Sequence, residues 1–260
     1  MVMTMNTKQT NGIGFFLNSS DTKELASKGS SSSLVQILRT SKAKWSALWI
    51  EAPDKRKIGK RDLEKAALTL QAEKIVPVLW TFPGIETLKQ SAEWVGECYD
   101  ALTSHNGGLT SVLVILDIEV DFKGKAKAAK EFVSHLQAVK ASRPNLIFGF
   151  TSYPFGHSTL PWDEFAKLLE PGKSPVMPQL YTSGGEAKNI ARAWRHYQNK
   201  YPGCEVVPVV ASYIEDSRRL KKSLDLIVPV HNPRGVSVWV LKTTDEQEAE
   251  VLAQYADTLI

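Results

Sequence analysis

Short apolar, β-branched runs recur along this chain, each followed by a stretch with helical spacing, and this alternation limits the possible folds more than any other feature. It predicts strands at Gly12–Leu17, Trp45–Ala52, Ile75–Thr81, Ser111–Val120, Leu146–Ser152, Pro175–Tyr181, Val206–Ser212 and Gly235–Leu241. Ser30–Ser33 cap a helix running to Ser41. Lys60–Ala72 places Leu63, Ala66, Ala67 and Leu70 on one helical face. Further helices are expected over Glu86–Leu102, Lys125–Ala141, from Pro161, Glu186–Lys200 and Ser217–Leu226. The fourth stops before Pro144 and the sixth at Pro202-Gly203, as prolines require. Thr244 is read as the cap of a last helix, with Gln247 three residues on and Asp245 and Glu246 in its first turn.

Strands alternating with helices imply a parallel α/β sheet with right-handed crossovers. Eight units in 260 residues, with no linker between them, is the size of a single (β/α)8 barrel. The whole of residues 1–260 is read as one domain, with 1–10 a flexible N-terminal segment. An open doubly wound sheet is the competing arrangement. No G-x-G-x-x-G follows the first strand and no G-x-x-x-x-G-K-[ST] occurs, so neither a dinucleotide nor a P-loop site has motif support.

Composition removes other classes. Hydrophobic residues make up 43% and charged residues 23%, which excludes disordered, collagen-like and coiled-coil chains. Apolar runs such as Val112–Leu116 fall far short of the roughly 20 residues of a membrane helix. The net charge of +4 is dispersed, and its densest segments, Lys55–Lys57 and Arg218–Lys222, carry no interleaved aromatic residues. No nucleic-acid or membrane partner is therefore expected. Cys98 and Cys204 leave room for a single disulfide but no framework. The five histidines lack paired-ligand spacing, so no metal and no other cofactor is expected. Met1–Thr10 is polar and has no apolar core of a secretory signal, which suggests a cytoplasmic protein or one exported by a non-classical route.

In a (β/α)8 barrel, chemistry sits at the carboxyl ends of the strands. Along strand four, Val112, Val114, Leu116 and Ile118 form one face. Leu113, Ile115, Asp117, Glu119 and Asp121 form the other, which should point into the barrel. Crowded, desolvated carboxyls have raised pKa values, the condition a general acid needs. Other strand ends contribute Glu51 beside Trp49, Trp80, Gln179 and Tyr181 on the side of Met177, and Trp239. Aromatic faces stack on the apolar C–H patches of sugars, while Gln, Tyr and carboxylates bond hydroxyl and acetamide groups.

Asp117-Ile118-Glu119 resembles the D-x-E that closes the strand-four signature of family-18 chitinases and related endo-N-acetylglucosaminidases. It also resembles the D-x-E of family-25 lysozymes, single barrels of similar length. The resemblance implies Glu119 as general acid and Asp117 as support for a substrate acetamide. It further implies Tyr181 as the assisting strand-six tyrosine and Trp239 as the floor of a sugar subsite. The candidate catalytic residues are thus Glu119, Asp117 and Tyr181, with Glu51, Trp80, Asp121, Gln179 and Trp239 binding substrate. The expected function is hydrolysis of a β-linked, N-acetylated polysaccharide of peptidoglycan or chitin type. The alternative is a non-catalytic barrel that binds carbohydrate, suggested by strands one and six, which carry no acid at their ends. An unrelated barrel enzyme is a third reading, but Lys242 is the only lysine near a strand end that could form a Schiff base.

Overall fold

Parallel pairing joins all the described strands to one another. The computed structural model describes residues 9–51, 56–103, 109–155, 159–183, 187–212 and 216–259. Its strands are β1 (Gly12–Phe16), β2 (Trp45–Glu51), β3 (Val76–Thr81), β4 (Val112–Asp117), β5 (Leu146–Ser152), β6 (Pro175–Pro178), β7 (Glu205–Val206), β8 (Val209–Ala211) and β9 (Gly235–Trp239). The helices between them are α1 (Ser19–Lys28), α2 (Ser33–Thr40), α3 (Lys60–Ala72), α4 (Leu88–Thr103), α5 (Ala126–Ala141), α6 (Trp162–Phe165), α7 (Ala187–Lys200), α8 (Ser217–His231) and α9 (Glu246–Tyr255). No described helix is long and apolar enough to cross a membrane.

The hydrogen-bonded order is β7-β6-β5-β4-β3-β2-β1-β9-β8. The two ends of this order, β7 and β8, are consecutive pieces of one chain segment separated only by Val207 and Pro208. Pro208 has no N–H to give to a ladder, so the seventh predicted strand splits there. Its first piece pairs with β6 and its second with β9. Val207 N–H still reaches the Val176 carbonyl at 3.0 Å, and a single parallel bridge joins Gln179 to Val209. The curled sheet therefore meets itself through this interrupted strand, and β1 pairs with β9 over five residues. An α/β barrel of the expected plan results.

The interior explains several residue choices. Trp45, fully buried, fills the barrel beside Gly14, where an added Cβ would lie 1.8 Å from the indole. Only glycine allows that approach. Trp45 also packs edge-on against Phe16, with ring centroids 6.2 Å apart. Outward-facing Val114, Phe148, Leu79 and their neighbours are buried under the helices.

Local details depart from the sequence reading in ways that matter for the site. Helix α1 was not foreseen. Asn18 caps it, accepting from the backbone N–H of Ser20 and Asp21, while Asp21 answers by accepting from the Asn18 N–H. This reciprocal cap was legible as Asn18-x-x-Asp21. The last helix is capped by Asp245 paired with Glu248, one residue later than the expected Thr244 and Gln247. Helix α8 runs on to His231, with Pro229 in its last turn. Strand β4 ends at Asp117 and β6 at Pro178, both shorter than predicted. Gln9 and Thr10, the end of the expected flexible segment, are buried, and the Gln9 side chain donates to Ser111. Residues 1–8 lie outside the described residues, as do Gly184, Gly185 and Glu186 at the predicted start of α7.

Candidate active site

Strand register gathers the polar interior residues at the carboxyl end of the barrel. Asp117 is level with Thr151 on β5, which is level with Met177 on β6, so all three share the inner face. Gln179 follows two residues after Met177 and points the same way. Its Nε2 donates to Asp117 Oδ1 at 3.1 Å and to Glu119 Oε1 at 2.8 Å. Gln179 thus holds the two carboxyls side by side. Asp117 is 6% exposed, whereas Glu119 is half-buried and faces the opening. Burial pushes the Asp117 carboxyl well above the usual aspartate range, the Glu119 charge pushes it further, and only the Gln179 amide opposes them.

Tyr153 completes this side of the opening. It follows β5 immediately, and burial together with the charges of Glu119 and Asp117 raises its phenol. Lys123, from the loop after β4, sits over the Tyr153 ring with Nζ 4.7 Å from the centroid. Neither residue was singled out from sequence. Tyr153 continues the alternation Gly149, Thr151, Tyr153 along strand five, so the same strand-end logic applied to that strand would have found it.

Across the barrel, four strands from β4 in either direction, β9 presents Trp239. Trp239 is half-buried and packs edge-on against Trp80 of β3, centroids 5.0 Å apart, and against Phe16 of β1 at 5.4 Å. Trp80 is itself edge-on to Phe16 and donates its Nε1–H to the Leu17 carbonyl at 2.6 Å. Trp80 is thus 5% exposed and acts as the bed beneath Trp239. The peptide Trp239–Val240 is cis.

Three predicted site residues sit differently from the sequence reading. Between Trp49 and Glu51 the β2–β3 register shifts by one residue. Trp49 stays level with inward Trp80, but Glu51 becomes level with Thr81 and outward Leu116. A bulge of this kind reverses the face. Glu51 therefore lies buried under α4, hydrogen-bonded to Ser91 and 3.8 Å from Lys57, and not in the opening. Burial raises its carboxyl. Asp121 lies on a 3-10 turn, Val120–Phe122, where the alternation that was to carry it inward has ended. Tyr181 lies on the 3-10 turn Leu180–Ser183, half-buried against the core, again beyond the strand's period-2 geometry.

Strand β1 carries no acid at its end, as expected, but the helix that follows brings a buried one close behind it. Asp21, 1% exposed, has its carboxyl pushed up to about 6 by burial, against the Asn18 N–H and the nearby Lys242. Among the described residues no group of three or more His, Cys, Asp or Glu is gathered to hold a metal ion. Cys98 and Cys204 are both free.

No protein-family model matches the chain, and no curated protein matches its sequence. Solved structures match its fold. A chitinase from Chromobacterium violaceum superposes with a TM-score of 0.63 at 9% identity, covering 94% of this chain and 98% of that one. The spore cortex-lytic enzyme SleL of Bacillus cereus gives 0.63 at 10% identity, over 94% of this chain and 74% of that one. A xylanase and alpha-amylase inhibitor protein from Scadoxus multiflorus gives 0.58 at 9%, over 96% and 98%. The chain thus has the TIM-like barrel fold found in glycosidases, a fold that also carries an inhibitor.

Proposed function

We propose that this protein is a glycoside hydrolase acting on a β-linked, N-acetylated polysaccharide at the carboxyl end of its barrel. The observation that carries the reading is Gln179 clamping Asp117 and Glu119, one deep and one facing the opening, across the barrel from Trp239. In this reading a sugar ring stacks on Trp239 and its glycosidic oxygen comes to Glu119. Glu119 gives that oxygen a proton as the bond to the anomeric carbon breaks. The acetamide carbonyl oxygen of the same sugar forms the new bond to the anomeric carbon. Asp117 accepts from the acetamide N–H, and Glu119 is left as the carboxylate. Water then opens the cyclic intermediate, returning its proton to Glu119. The pair held by Gln179 supplies the two carboxyls this sequence needs, Glu119 at the opening as the acid and Asp117 behind it as the acetamide partner.

Support also comes from the fold shared with chitinases and with a cortex-lytic enzyme. The second reading, a barrel that binds carbohydrate without turnover, is favoured by one observation: β1 ends without an acid, and Asp21, the first acid after it, is committed to capping α1. Reducing-end release from chito-oligosaccharides separates the two. The hydrolase reading expects turnover by the native chain and its loss in Glu119→Gln. Binding without turnover in the native chain selects the second reading, and neither binding nor turnover with chitin or peptidoglycan fragments rejects both.

A further inference from the structure

The loop after β4 carries a feature that hydrolysis of a neutral glycan does not use. Lys123, Lys125 and Lys127 fall within five residues, between the carboxyl pair and the first turn of α5. Lys123 is held over Tyr153, the residue that follows β5 at the carboxyl end of the barrel, with Nζ 4.7 Å from the ring centroid. Among the described residues no carboxylate pairs with Lys123, Lys125 or Lys127. Lys125 and Lys127 line a surface cavity of about 500 Å³ together with Lys89 and Gln90, with Glu86 and Glu131 also in its wall. The start of α5 reinforces the positive field. It has no side-chain cap and no acid in its first turn, and Lys127 stands where helices usually place a carboxylate. Such a placement is locally unfavourable, and a bound anion would offset it.

We propose that Lys123, with Lys125 and Lys127 beside it, forms a subsite for a carboxylate of the glycan, so that the preferred substrate is an acidic N-acetylated polysaccharide. This rests on the proposed function, since it assigns the sugar next to the cleaved bond a negative charge. An ammonium group packed on an aromatic face is fixed in position yet keeps its free N–H groups for an incoming acid. A carboxylate displayed on the sugar itself is the acid that Lys123 would meet from its place over Tyr153.

The test uses two glycans of matched length: neutral chito-oligosaccharide, and peptide-free peptidoglycan strands bearing free lactyl carboxylates. Calorimetric binding and kcat/KM are measured on both, for the native chain and for Lys123→Gln and Lys125→Gln/Lys127→Gln. The expected result is a preference for the acidic strands that falls about 10-fold in Lys123→Gln, through KM, and shrinks as salt is raised. The double variant should reduce it by a smaller factor. Equal handling of the two glycans by the native chain, or an unchanged ratio in Lys123→Gln, overturns the carboxylate subsite while leaving the hydrolase reading standing. Failure to bind either glycan overturns both, and binding without turnover still reads the preference directly.

Discussion

The two sides of the barrel opening are built on opposite principles. The β4–β6 side is polar, and its residues are tied by hydrogen bonds: Gln179 to Asp117 and Glu119, and Thr151 Oγ to the Met177 carbonyl at 2.9 Å. The β1–β3–β9 side is aromatic, and Phe16, Trp80 and Trp239 are held by edge-to-face and tilted packing over Trp45. A buried carboxyl is tolerable only where partners meet it, so the polar side needs its complete network. An aromatic cluster needs only shape and area, so it can leave one ring half-exposed without cost. In the proposed reading, proton chemistry belongs to one side and ring binding to the other, and each side can be perturbed alone.

The largest effect is expected from the polar side. Glu119→Gln keeps the bond to Gln179 within reach but removes the proton donor, and turnover should drop by about 10²–10⁴-fold with glycan affinity nearly unchanged. Affinity falling in step with turnover would merge the two sides into one binding surface. Next is the support under the aromatic side. Trp45→Ala empties the barrel beside Gly14 and should cost roughly 3–5 kcal/mol of stability in denaturant unfolding. A loss below about 1 kcal/mol would mean that Trp45 is not the pillar its burial implies.

Smaller effects follow. Trp239→Ala should weaken glycan binding by about 10–50-fold, the equivalent of roughly 1.5–2.5 kcal/mol for a stacked ring, without moving the pH profile of turnover. A shifted profile would show that the aromatic side also tunes the carboxyl pair. The smallest concerns Asp117. Its folded-state carboxyl is raised, so the folded chain keeps this proton at a pH where the unfolded chain has lost it. Wild-type stability therefore declines as pH rises above the ordinary aspartate value near 4 and through the raised range. Asp117→Asn, which cannot ionise, should gain stability over wild type across that window, seen as a Tm gap that widens with pH. A gap constant from pH 3 to pH 8 would mean that Asp117 ionises in the folded chain as it does in the unfolded one.

Much of this architecture was legible in the chain because period-2 and period-3.6 patterns register burial directly. Helix α3 and strand β5 fall at their predicted limits. Trp239, Gln179, Asp117 and Glu119 could be named because each sits at or just past a strand end on the inward parity. What failed was parity at irregularities. The bulge at Ile50 sends Glu51 outward, and the 3-10 turns after β4 and β6 remove Asp121 and Tyr181 from any strand face. One inserted residue leaves the hydrophobic pattern almost unchanged yet reverses every later side chain, so composition cannot register it. The interruption at Pro208 was signalled by its missing N–H. The cap at Asn18 and Asp21, and with it the acid near β1, was signalled by spacing. Tyr153 and Lys123 depend on which neighbour a loop side chain meets, and only three-dimensional packing supplies that.

The most direct test of the account is a crystal structure of Glu119→Gln soaked with chito-oligosaccharide, in which binding persists while cleavage stops. The account predicts a sugar ring lying on Trp239, the adjoining glycosidic oxygen within hydrogen-bond distance of the residue-119 amide, and the acetamide N–H donating to Asp117. A sugar bound elsewhere on the surface, or a ring in the opening whose glycosidic oxygen lies far from residue 119, would contradict it.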